Sequence, residues 1–530
     1  MTVHLSIVLF APLIAALLGA FLPRRATRAV ALLGTLVPLG YAIVMIADYD
    51  HRGGGLQYVT DENWISELGI RYSLGVDGLS LFLIALTALL WTFATLAAML
   101  RDWDRPRLFY FHLALGEAAV LGAFMAQDLA LFIVFFDLML VPFYFLIGGW
   151  GERRRVEATT KFVIYTLVGS LLMLAAAIAL GVLSTSAGQE LSFSLAELRS
   201  RELGEGSQDW IFLLFALAFL VKAPAFPLHG WMPDTYRSTP IPVLVLLSGV
   251  LSKVGMYGFL RIVLPITPDA AAEFQTLMLA FAVVSILYGS ALAFTADSAR
   301  LVLGYSSIAQ LGFILLGVFA LDLEGKGAQG AVFQMVNHGL VVAPGFLIVG
   351  ALAARAGGSD SLDRMGGMAL RAPVLAALFL IVALASLAMP GSGNFVGELL
   401  ILFGAFEDQL VWGLIASVGV VLAAVYMIRL YQRAIHNPVG VTAESRDFTR
   451  GELGVVAPLV AVIVALGVYP QLVTNRTEDA TVGKVHEAAT IACIGDDDTG
   501  PGFWSGSEDQ AGCLRGPFEG AYFNRSEGAP

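Results

Sequence analysis

Charge is scarce in this chain. Of its 530 residues only 14% are Asp, Glu, Lys or Arg, where a soluble domain carries roughly 25%. That deficit excludes the string of soluble domains that a chain of this length otherwise suggests. Positive charge is the rarer sign: 31 Lys and Arg against 42 Asp and Glu leave a net charge of −11. A nucleic-acid binder needs a basic face and is excluded. Two cysteines, Cys493 and Cys513, cannot supply the roughly four ligands of an iron–sulfur cluster. There is no P-loop and no HExxH. Gly325-Lys326-Gly327-Ala328-Gln329-Gly330 fits GxGxxG, but it falls in a short loop between two apolar runs with no strand before it, so dinucleotide binding fails there. What is abundant is apolar: 57% of residues are hydrophobic and the mean hydropathy is +0.77. This is the composition of an all-α polytopic membrane protein.

A spanning helix needs about 20 mostly apolar residues. Such runs occur fourteen times, at 3–22, 29–48, 78–100, 108–126, 129–149, 159–183, 210–227, 241–263, 274–296, 300–320, 329–354, 372–403, 409–432 and 454–472. The first is read as a span rather than a cleaved signal peptide. It has no basic n-region, and Arg24, Arg25 and Arg28 follow it. With loops assigned alternately, 19 Lys and Arg fall on one side and six on the other. The basic side should be cytoplasmic, which places both termini outside. Two outer stretches, 49–77 and 184–209, are long and polar. In the first, 56–60 and 70–74 can pair as a hairpin. The tail from 473 to 530 is polar; on an oxidising face its two cysteines form one disulfide, or else they stay free thiols.

Ionisable residues at membrane depth cost at least ~2.5–3.5 kcal/mol on insertion scales, so each one calls for a function. They are Glu117, Asp137, Lys222, Lys253 and Glu398, with His338 beside them. Pro224 and Pro227 remove backbone donors just after Lys222, and Met389-Pro390-Gly391-Ser392 does so just before Glu398. Both sites predict broken helices, which at membrane depth are tolerated only inside protein or beside water and mark midplane ion sites in transporters. Asp137 and Gln310 lie 173 residues apart, Lys222 and Glu398 176. That spacing suggests two five-helix units, 108–263 and 274–435. They follow an N-terminal section, 1–107, and precede a last span, 454–472.

These residue types suit proton transfer, because each exchanges a proton and an Asp137–Lys222 pair can open and close. At ~4 Å and an effective dielectric of ~20, such a pair is worth about 4 kcal/mol, comparable to moving one charge across a membrane potential. The competing account is a scaffold whose buried ion pairs only hold helices together. Glu117 and His338 are also open to structural readings, as capping and satisfied core residues. His229, beside Trp231 and Pro233-Asp234, reads as interfacial with a secondary role.

Several motifs resemble the antiporter-like subunits of the proton-pumping NADH:quinone oxidoreductase, respiratory complex I. They are Phe135-Phe136-Asp137-Leu138-Met139-Leu140-Val141-Pro142; Val221-Lys222-Ala223-Pro224 running on to Trp231-Met232-Pro233-Asp234; Leu251-Ser252-Lys253-Val254-Gly255-Met256-Tyr257-Gly258; Tyr305-Ser306-Ser307; and Asn394-Phe395-Val396-Gly397-Glu398. The resemblance covers about 75–435. It implies fourteen helices, inverted repeats with the seventh and twelfth helices broken, and a central relay of Asp137, Lys222, Lys253 and Glu398. A glutamate at 398, and no long lateral extension after the last span, match the M-type branch, the counterpart of mitochondrial subunit 4. Tyr236-Arg237-Ser238-Thr239-Pro240 and Ile241-Pro242 read more like the N-type. The family usually has glutamate where Asp137 stands, so pairing with Lys222 needs water or a closer approach. It also tends to have histidine where Gln310 stands, which shifts weight onto His338. NADH, FMN, iron–sulfur clusters and quinone are then expected in partner subunits, with no cofactor or metal in this chain. The partners are the other complex I subunits, sister antiporter-like chains among them, and the bilayer of a bacterial inner membrane. A multi-chain sodium/proton antiporter or a membrane-bound hydrogenase of the same fold is the alternative.

Overall fold

The computed structural model describes residues 3–50, 55–152, 154–186, 188–438, 440, 444 and 446–497. The apolar runs become helices because a bilayer offers no water to the backbone, so each N–H must bond within its own segment. In order they are α1 (Leu5–Ala20), α2 (Arg24–Asp48), α3 (Gly78–Met99), α4 (Pro106–Met125), α5 (Leu129–Trp150), α6 (Arg155–Leu183), α7 (Glu205–Lys222) and α8 (Ile241–Ile266). There follow α9 (Gln275–Thr295), α10 (Ala299–Val318), α11 (Lys326–Arg355), α12 (Pro373–Ser386), α13 (Gly393–Asp408), α14 (Leu410–His436), α15 (Arg450–Val468) and α16 (Gln471–Asp497). Among the described residues, 11 helices are long and apolar enough to cross a membrane.

Short polar residues set where helices begin. Asp77 and Ser80 form a capping box at the start of α3, and Thr449 and Glu452 another at α15. Asp128, Ser298 and Ser392 cap α5, α10 and α13. Each side chain satisfies an N–H that has no partner within the helix.

The loops gather on two opposite faces. One face carries the hairpin β1 (Gln57–Ile65) and β2 (Ile70–Val76), antiparallel with Thr60 opposite Leu74. This is the hairpin expected from the sequence. It ties to the neighbouring loops through Arg71 N–H to Asp128 (3.1 Å) and Phe193 N–H to Gly69 O (3.3 Å). The stretch after 473, expected as a polar tail, starts as α16 on this same face. It buries Val473, Thr477, Thr481, Val485 and Ala488. This i, i+4 stripe is built from threonine, valine and alanine, too weakly apolar to stand out in the sequence. Cys493 lies on α16; Cys513, and with it the expected pairing, falls outside the described residues. The opposite face is arginine-rich: Arg300 bonds the Arg237 carbonyl (2.7 Å), and Arg355 pairs with Glu452 (2.9 Å).

Both expected breaks occur. After Lys222 the chain leaves the helix through Pro224 and Pro227. The freed backbone groups find side chains: Phe226 N–H donates to Ser285 Oγ (2.9 Å), and Trp231 Nε1–H donates to Val221 O (2.9 Å). Between α12 and α13, Gly391 takes φ +95°, a conformation open to glycine but strained for other residues. A third irregularity falls within α5, at Met139, where Pro142 cannot donate to the carbonyl of Leu138.

Perimeter helices expose large apolar side chains such as Ile43, Ile164, Leu171 and Val421, as a lipid-facing surface requires. The most enclosed helices are α8, α10 and α11. Against α11, α13 packs through small residues. A Cβ on Gly404 would stand 2.4 Å from the Gly327 backbone nitrogen. The two nearest atoms are Gly327 backbone and cannot yield as a side chain can, so Gly404→Ala is expected to destabilise the protein by about 1–3 kcal/mol, measured as a lowered unfolding midpoint in detergent. Gly149→Ala, which meets nothing within 4 Å, is the neutral control.

Candidate functional site

The enclosed helices carry the polar residues. On α8, Lys253 is fully buried. It is flanked by two π-helical segments, Leu247–Leu251 and Phe259–Val263, local widenings that frequently accompany functional sites. Its ammonium donates to the Ser248 carbonyl (2.7 Å) and shares a 2.7 Å hydrogen bond with His338 Nδ1 on α11. Ser248 Oγ in turn lies 3.2 Å from Ser307 Oγ on α10.

Gln334, Asn337 and His338 share one face of α11 at i, i+3, i+4 spacing. Gln334 Nε2 donates to Gln310 Oε1 on α10 (2.6 Å), and Gln310 Nε2 donates to Glu398 Oε1 on α13 (2.8 Å). The Tyr426 hydroxyl of α14 also reaches the Gln310 amide. Glu398 Oε2 is buried with no partner among the described residues. A Cβ on Gly397 would stand 2.4 Å from Gln334 Oε1, so the glycine beside Glu398 makes room for this amide chain.

Lys222 and Asp137 occupy the other half. Lys222 is 5% exposed at the broken end of α7. Asp137, on α5, lies beside Ser170 of α6 and within electrostatic reach of Lys222, and its Oδ1 is buried without a partner among the described residues. The two do not form a direct ion pair. Instead the Lys222 ammonium sits 4.5 Å from the centre of the Phe136 ring. Aspartate reaches one methylene less far than glutamate would.

The remaining candidates stand apart. Glu117 on α4 is fully buried, and neither carboxylate oxygen has a partner among the described residues. His229 is half-buried in the segment after α7, stacked against Phe226 at 5.9 Å. Sequence reasoning gave no role to Ser248, Gln334 and Tyr426, and met Ser307 only as part of the Tyr305-Ser306-Ser307 motif. Their only signal was polarity within apolar helices, weaker than a charge. Among the described residues no group of His, Cys, Asp or Glu is placed to hold a metal ion.

Titratable groups spaced by amides and hydroxyls can pass protons through small rotations and intervening water. Two broken helices around a buried polar line define an antiporter-like membrane protein. The chain belongs to the NADH:quinone oxidoreductase/Mrp antiporter family, whose transmembrane model matches residues 126–423. It is 36% identical to NADH-quinone oxidoreductase subunit M of Rhodobacter capsulatus, over 89% of this chain and 94% of that one. Among solved structures it is similar to a chain of respiratory complex I from Thermus thermophilus with bound NADH (TM-score 0.82, 31% identity, 91% of this chain and 100% of that one). A chain of the Mrp complex from Dietzia shares the fold (TM-score 0.78, 22% identity, 93% and 99% covered).

Proposed function

We propose that this protein is the M-type, proton-translocating membrane subunit of an NADH:quinone oxidoreductase. The carrying observation is the buried contact between Lys253 and His338 at 2.7 Å, with Lys222 and Asp137 in one half and Gln310 and Glu398 in the other. Protons move along Asp137, Lys222, Lys253, His338 and Glu398, with Gln310 organising water or hydrogen bonds without changing charge. Glu117 and His229 have secondary roles. The chain itself is non-redox; NADH, FMN, iron–sulfur clusters and quinone reside in partner subunits. The reading includes fourteen crossings of a bacterial inner membrane, two inverted five-helix repeats over 108–263 and 274–435, and both termini on the outer side. The uneven distribution of arginine between the two loop faces supports that orientation.

The test is Lys222→Ala in the assembled complex, with NADH:quinone electron transfer and proton uptake followed in membrane vesicles. Coupled uptake is expected to fall at least about tenfold, while NADH oxidation by a soluble acceptor persists. Unchanged pumping overturns the assignment.

A further inference from the structure

Lys222 has two candidate partners on consecutive residues of α5, and its ammonium rests on the first. Phe136 is 2% exposed. Its ring packs against Phe132 at 5.8 Å and Phe219 at 6.0 Å, so its position is set by the surrounding aromatic cluster. Phe219 lies on α7 one turn before Lys222, which ties the ring and the lysine to the same helix. Next along α5, Asp137 keeps Oδ1 buried and without a partner among the described residues.

An aromatic face attracts an ammonium through its quadrupole but has no lone pair with which to accept a proton. A carboxylate attracts it and can also take one. The two seats therefore differ in kind: on the ring the charge is held and the proton kept, and at Asp137 the proton can be exchanged. Lysine suits such a shuttle, being a compact charge on a flexible four-carbon stem.

We propose that Phe136 is a positioning residue whose ring is the resting seat of the Lys222 ammonium, and that Lys222 works by moving between this ring and the Asp137 carboxylate. The inference rests on the relay reading above. The shorter aspartate fits it, because a glutamate would reach toward the ring position and merge the two seats. A cation–π contact with a desolvated ammonium biases the two positions by roughly 2- to 30-fold.

The experiment places phenylalanine, monofluoro-, difluoro- and trifluorophenylalanine in turn at position 136 of the intact complex, beside Phe136→Leu, Phe136→Trp and Lys222→Ala. Fluorine drains charge from the ring face and barely alters its shape. Coupled proton uptake is expected to fall stepwise with fluorine number, reaching about tenfold, with assembly and NADH oxidation by a soluble acceptor unchanged. Phe136→Leu should match the trifluoro ring, and Phe136→Trp, which keeps a π face but is larger than the site, should retain more uptake per assembled complex than Phe136→Leu. Uptake independent of fluorine number, with Lys222→Ala still defective, overturns the ring seat and leaves the relay standing. Normal uptake in Lys222→Ala overturns the relay itself.

Discussion

Lys253→Met is expected to reduce proton pumping to background, a loss of about 10²-fold or more, in a complex that still assembles. Methionine is unbranched like lysine and fills irregular space in a core, so the fully buried site keeps its packing. The substitution orphans His338 Nδ1, which the ammonium now contacts at 2.7 Å, while the Ser248 carbonyl keeps the Ser252 hydroxyl at 2.9 Å. Orphaning costs about 1–3 kcal/mol per buried group. Against that, an ionisable group no longer has to be held away from water, a large gain of opposite sign. Stability should therefore stay near wild type while function is lost. Lys253→Arg separates the two accounts of this residue. Arginine keeps the charge but does not deprotonate in proteins. A scaffold role tolerates it, and a relay role does not. Proton uptake per electron in vesicles decides: pumping preserved in Lys253→Arg would mean that charge alone matters.

The sequence revealed elements more readily than contacts. Helix locations were legible because apolar runs and arginine-rich loops are local signals, and the two breaks because proline cannot donate. Lys222, Lys253 and Glu398 stood out because buried charge is rare. His338 and Gln310 were candidates too, but not as the partners of Lys253 and Glu398. Lys253 and His338 are 85 positions apart, Gln310 and Glu398 88, and nothing along the chain says which faces of α8, α10, α11 and α13 meet. The seat of Lys222 on Phe136 was hidden for a different reason. A phenylalanine in a spanning helix is indistinguishable from its lipid-facing neighbours until the packing is known. The π-helical segments of α8 were equally silent, since one extra residue per turn leaves composition unchanged.

The buried Asp77–Arg261 pair is expected to hold structure and to carry no proton. Arg261 donates to both Asp77 oxygens, at 2.6 and 2.7 Å, and to the Tyr257 hydroxyl at 2.8 Å. Asp77 also caps α3. Each guanidinium nitrogen and both carboxylate oxygens are engaged, whereas Glu398 and Asp137 each keep a buried oxygen without a partner among the described residues. Breaking a buried pair by removing one partner typically costs about 3–5 kcal/mol, so either single variant should lower the unfolding midpoint in detergent and the yield of assembled complex. The two losses should be unequal. Lys484 of α16 lies close by, its ammonium pulled down to about 8 by burial and by Arg261, with Asp77 opposing. In Arg261→Met, Lys484 remains to face Asp77. In Asp77→Asn, Arg261 and Lys484 face each other with that carboxylate gone, so this variant should be the less stable. Its deficit should also respond to pH. Lys484 binds fewer protons folded than unfolded, so its deprotonation adds stability as pH rises from about 8 toward its ordinary value of ~10.4. Without Asp77 its folded value drops further, and the gain begins at lower pH. Thermal unfolding of Asp77→Asn at pH 7 and pH 9 should show the gap to wild type narrowing at the higher pH. The double variant Asp77→Leu with Arg261→Met, which replaces the pair by apolar groups, should recover much of the loss, since matched apolar replacements of buried pairs are often neutral. Its pumping should recover with its assembly, because no proton has to pass through a pair whose arginine never lets one go. A double variant that assembles fully yet fails to pump would instead place Asp77 on the relay.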